Sequence, residues 1–169
     1  MLDFIGTIGI VTATVVTLTA VLSALPVQPR ARIGAAVVLG AWVGVAVALG
    51  ANGSLAFNGA NPVPLVGVLF AAPLAAAALL VLFVPAARTA LLALPLPMLI
   101  GLNVWRVIGG LFVLLAVDGR LGGPFPQFAG WGDVITGVLA LPIAWLALRT
   151  PAPARNVALA WNAFGALDL

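Results

Sequence analysis

From Ile33 to Ala87 no residue carries a charge, and the stretches Phe4 to Pro29, Val134 to Leu148 and Asn156 to Leu167 are equally bare. About 20 mostly apolar residues suffice to cross the roughly 30 Å hydrocarbon core of a bilayer as one helix. The longer of these runs reach or exceed that length, which constrains the chain to an all-α fold, a polytopic transmembrane helix bundle. The remaining composition agrees. Of 169 residues, 64% are hydrophobic and 7% charged, where soluble domains carry about 25% charged residues.

The spacing predicts about six helices. The first covers about Asp3 to Leu25 and stops at Pro26, and the second covers about Ile33 to Leu49, before a Gly/Asn-rich loop from Gly50 to Asn61. The third begins after Pro62 and Pro64 and reaches Val84. The fourth covers about Leu91 to Val117, entered through Pro95 and Pro97. The fifth starts near Pro124 to Gln127 and ends at Leu148, since proline is tolerated in a first helical turn. The sixth starts near Ala154 and meets the end of the sequence at Leu169; at about 1.5 Å per residue it reaches only roughly 24 Å. The natural chain is therefore expected to extend past Leu169. One transmembrane domain over 1–169 is expected, with residues 1–90 forming apolar packing helices and 91–169 forming polar-lined ones.

Arginines in the loops set the orientation. Arg30 and Arg32 follow the first run, Arg88 the third, and Arg149 and Arg155 the fifth. Cytoplasmic loops carry the excess of basic residues, so these loops are expected inside and the N-terminus outside. The other loops hold no charge or the single pair Asp118 and Arg120. The pI near 11.6 does not point to nucleic acid, because the arginines lie singly or in pairs between apolar runs. No nucleic-acid partner is expected. The expected surroundings are membrane lipids, and the expected location is the cell inner (plasma) membrane as a multi-pass protein.

The residue types present exclude whole chemistries. There is no Lys, Glu, His, Cys or Tyr, and only two serines, Ser23 and Ser54. Zinc and iron sites of the usual kinds cannot be built, and no cofactor is expected. Schiff-base, P-loop and Ser-His-Asp chemistry are also closed. Asp, Arg, Asn, Thr and backbone remain for polar work, and no catalytic residue and no metal site is assigned.

The polar residues gather late in the chain. Asn103, Arg106, Asp133, Thr136, Asn162 and Asp168 fall within the fourth to sixth runs as candidate ligand or ion-pair residues. A charged group at the centre of a membrane helix costs about 2.5 to 3.5 kcal/mol on insertion scales, so such groups normally face inward and find partners. Arg106 lies roughly 16 Å below the outer surface, and Asp133 and Asp168 each about 9 Å below it, at about 1.5 Å per residue. An arginine fork can hold a carboxylate in two bonds. Helical spacing places Asn103, Arg106 and Gly110 on one face, and Asp133, Thr136, Gly137 and Ala140 on another. Asp133 is also placed to cap an interrupted helix behind Gly130 and Gly132. Asn162 is turned about 120° from Asp168 at 100° per residue. Trp131 and Trp161 read as interfacial aromatics, whereas Trp105 lies too deep for that role.

In the first half, Ala36, Gly40, Gly44 and Ala48 repeat every four residues. That stripe lets another helix approach closely, from the same chain or from a second copy in a homo-oligomer.

Three phrases stand out: Trp105-Arg106 with Gly109, Ala129-Gly130-Trp131-Gly132-Asp133, and Trp161-Asn162 with Gly165 and Asp168. With them, roughly the last 65 residues of the chain resemble a group of small, uncharacterised bacterial integral membrane proteins. The resemblance implies a bacterial source and a membrane location, and implies no activity. On the residues, the expected role is that of a structural or accessory membrane protein. Small-solute, proton or cation binding or transport is the alternative, and a membrane enzyme acting on a lipid head group stands behind it.

Overall fold

The computed structural model describes residues 2–55 and 65–167. The elements among them are all helical: α1 (Leu2–Ala24), α2 (Pro29–Ala51), α3 (Leu65–Phe83), α4 (Pro85–Leu92), α5 (Leu96–Gly101), a 3-10 segment (Leu102–Gly109), α6 (Gly110–Val117), α7 (Phe125–Arg149) and α8 (Pro151–Leu167). Five stretches are long and apolar enough to cross a membrane: Phe4–Ala24, Pro29–Ala51, Leu65–Phe83, Leu96–Val117 and Phe125–Arg149. The chain is a membrane protein. Its exposed surface bears this out, because large apolar side chains such as Val37, Val38, Leu82 and Phe83 face outward. Neither α2 nor α3 buries a single described residue. In water such surfaces would be liabilities, whereas acyl chains solvate them.

Proline sets several of the boundaries. Pro29, Pro85 and Pro126 sit at the first or second positions of α2, α4 and α7, where the missing N–H costs nothing. Pro95 ends the turn after α4, so the fourth expected run divides: its first residues, Leu91 and Leu92, belong to α4, and the span proper starts at Leu96. The sixth run starts at Pro151, three residues before Ala154, and is 17 residues long over the described chain.

The residues form two compact units, Met1–Ala20 with Pro95–Leu169, and Val21–Leu94. In the first unit α7 is the central helix, packed against α5, the 3-10 segment, α6 and α8. Its buried positions include Ala129, Gly130, Gly132, Thr136, Gly137, Ala140, Ala144 and Ala147. Small residues at three- and four-residue spacing let neighbouring backbones approach, which is how helices gain packing energy in lipid. Ala140, Ala144 and Ala147 meet Ala154, Ala158 and Trp161 of α8 and Ile100 of α5 in one core. Gly6 and Gly9 of α1 face Leu111 and Ile108. In the second unit, nothing lies within 4 Å of a Cβ built on Gly40 or Gly44.

Candidate functional site

Arg106 lies in the 3-10 segment, halfway along the span Leu96–Val117. With three residues per turn, Asn103, Arg106 and Gly109 fall in line, so the residue above Arg106 on its own face is Gly109. The α-helical spacing had put Gly110 there. Glycine at 109 is required by a close approach: a Cβ there would lie inside the side chain of Asp133. Gly137 plays the same part from the α7 side. A Cβ on it would come within 2.7 Å of the Val107 backbone nitrogen and 3.1 Å of the Val104 oxygen. Small residues on both partners thus bring the 3-10 segment and α7 together at the depth of the charged pair.

Arg106 closes on Asp133. Its Nε donates to Asp133 Oδ1 at 2.7 Å, and Nη2 lies 2.6 Å from the same oxygen. Two guanidinium nitrogens thus converge on one carboxylate oxygen. Nη1 points elsewhere and donates to the Gly165 carbonyl oxygen of α8 at 2.7 Å. One guanidinium therefore joins three segments of the chain. The Arg106 and Asp133 side chains are only 20% and 16% exposed. A second cross-brace lies beside them: Trp161 Nε1 donates to the Thr136 oxygen at 3.1 Å, and Thr136 is 1% exposed. A Cβ at Gly165 would sit 2.9 Å from Thr136 Cγ2 and 3.3 Å from Arg106 Nη1, so this glycine is what lets its own carbonyl reach the arginine.

Of the expected candidates, Arg106, Asp133 and Thr136 come together around α7. Asn103 does not join them, because its Nδ2 donates to Leu99 O at 2.9 Å within its own helical stretch. Asn162 is exposed and borders, with Asn103 and Arg155, a separate open cavity of about 410 Å³ against Leu96, Leu99 and Trp161. Asp168 lies outside the described residues. Two readings are corrected. Trp161 is not an interfacial aromatic but a buried core residue. Asp133 does not cap an interrupted helix, since α7 runs from Phe125 to Arg149 without a break. The contributions of Gly109, Gly165 and the Trp161 indole were not anticipated. A backbone carbonyl carries no side-chain signal, though the glycine three residues before Asp168 hinted at a close approach.

Among the described residues the arrangement is, chemically, a direct ion pair with a backbone acceptor. Asp133 Oδ1 and all three guanidinium nitrogens are engaged, so the charges neutralise one another where a lone charge would be costly.

The region that builds this arrangement matches a known family model. Residues 63–169 match the family described as "Domain of unknown function (DUF8737)". The chain belongs to this family. The DUF8737 match spans α3 to α8, so both partners of the pair, Gly109, Gly137 and Gly165 all fall within it, while α1 and α2 precede it. Neither the curated proteins nor the solved structures contain a match to the chain.

Proposed function

We propose that the protein is a structural or accessory component of the bacterial plasma membrane, in which the Arg106–Asp133 pair fixes the register of the span Leu96–Val117 against α7 and α8. The observation that carries this reading is the direct closure of the pair, with the third guanidinium nitrogen on Gly165 O. A buried ion pair is a weak source of net stability but a strong source of specificity, because misregistered packing leaves both charges unpaired. In this reading the Ala36, Gly40, Gly44 and Ala48 stripe of α2 serves a homo-oligomer. The test is thermal unfolding of Arg106→Leu and Asp133→Asn in detergent. Both variants are expected to melt lower and accumulate less, and unchanged stability in both would overturn the assignment.

The cavity of about 410 Å³ bordered by Asn103, Arg155 and Asn162 favours a second reading, the binding or passage of a small solute. Among the described residues Asn162 and Arg155 make no side-chain hydrogen bond, which leaves their donors available to an occupant. Flux of protons or small cations in vesicles that is lost in Asn103→Leu and Asn162→Leu, with melting unchanged, would favour this reading over the structural one.

A further inference from the structure

The unit Val21–Leu94 contains Arg30, Arg32 and Arg88 and no Asp or Glu. It carries three positive charges with no counterion of its own. The three arginines stand at one end of its helices. Arg30 and Arg32 occupy the first turn of α2, just after α1 ends at Ala24, and Arg88 the first turn of α4, just after α3 ends at Phe83. Between these turns lies a cavity of about 590 Å³ whose walls include Val27, Gln28, Ala31, Ala86, Thr89 and Ala90. Ala31 adjoins Arg30 and Arg32 in the chain, and Thr89 adjoins Arg88.

Two details concern the arginines next to this wall. Arg32 Nη2 donates to Leu25 O at 2.9 Å, while its Nε is buried without a hydrogen-bond partner. A buried donor on a charged group is costly to leave unmade, so such an atom calls for an acceptor. Arg30 and Arg88 are exposed and make no hydrogen bond or ion pair among the described residues. The cavity wall itself is mostly apolar, and it sits where two spans end, next to the outward-facing Leu82 and Phe83.

We propose that this cavity is a binding site for an anionic phospholipid. The arginines surround its phosphate, and the Val27, Ala31, Ala86 and Ala90 wall receives its glycerol and first methylenes. The argument is charge complementarity: Arg30, Arg32 and Arg88 adjoin the wall residues Ala31 and Thr89 in the chain, the wall itself is apolar, and one guanidinium nitrogen of Arg32 is buried without a partner. A basic loop that only orients a helix needs neither the cavity nor the buried donor. The site is distinct from the Arg106–Asp133 pair and does not depend on its role.

The test uses the full chain in nanodiscs of phosphatidylcholine containing a rising fraction of phosphatidylglycerol, with bound lipid read by native mass spectrometry. Saturable retention of about one anionic lipid is expected. Arg32→Gln should weaken it about fivefold, as expected for one basic residue at an anionic surface, while Arg149→Gln should leave it unchanged. Ala86→Leu keeps every charge and fills the cavity, and it too should lose the retained lipid. Retention that grows without saturation, or that Ala86→Leu leaves intact, would show diffuse attraction and overturn the proposal. Displacement of the lipid by millimolar inorganic phosphate would assign the site to a free anion and overturn it as well.

Discussion

At the scale of single residues, what matters is which groups lose a partner. Arg106→Leu leaves Asp133 charged and largely enclosed, and removing one member of a buried pair costs about 3 to 5 kcal/mol. Replacing both members with apolar residues of similar size, Arg106→Met with Asp133→Leu, should recover most of that loss, because the pair is held against its own desolvation cost. Melting curves of the two single variants and the double variant in detergent would show this as a large coupling between the sites. Trp161→Phe keeps the ring in the core and removes only the bond to Thr136 O, so a loss of about 1 kcal/mol is expected. The need for a carboxylate was legible in the sequence, since a lone arginine halfway down an apolar run calls for one, but Asp133 and Asp168 lay at the same depth and the sequence did not choose between them. The identity of the third partner was not legible, since nothing in a side-chain alphabet announces that the Gly165 carbonyl accepts the remaining nitrogen. Asn103 and Asn162 looked equivalent to the pair by polarity alone, yet Asn103 spends its amide on Leu99 O.

At the scale of elements, the eight-residue 3-10 segment is the departure from simple expectation. Such segments rarely exceed three or four residues. Counting at 3.6 residues per turn puts Gly110 beside Arg106, whereas three residues per turn put Gly109 there, and no periodicity in Leu102–Gly109 distinguishes the two. The tighter winding also rises about 0.5 Å more per residue, lengthening the span by about 4 Å over eight residues. The glycines at the contact with α7 separate sites where approach matters from sites where it does not. Gly137→Ala places a methyl against the Val107 and Val104 backbone, which cannot rotate away, and should cost about 1 to 3 kcal/mol. Gly40→Ala meets nothing within 4 Å in its own chain. If α2 forms no oligomer contact, this change should be neutral or slightly stabilising, since alanine is the better helix former. Unfolding midpoints in detergent check both, and the oligomeric state of Gly40→Leu by light scattering checks the stripe. The α7 boundaries were readable because proline and charge mark both ends. The α4–α5 break was signalled only by Pro95, which the apolar stretch around it allowed to be read as part of the span's entry.

At the scale of the whole molecule, the apolar outer surface ties the chain to a bilayer, and the uneven distribution of arginine predicts its direction. The sequence holds no cysteine, so single cysteines report topology without a background to remove. Gly122→Cys is expected to react with a membrane-impermeant maleimide in intact cells, and Thr150→Cys only after permeabilisation. The reverse pattern would invert the orientation read from the loop arginines. The clamp at Arg106 also has a genetic consequence. Among the described residues it joins two side chains to one main-chain carbonyl, so substitutions at 106 can be compensated at 133 but not by a new acceptor type at 165. Among diverging DUF8737 sequences, positions 106 and 133 should therefore change together, while position 165 should answer only to size. A survey of correlated substitutions would see the couple and miss the carbonyl that shares its arginine.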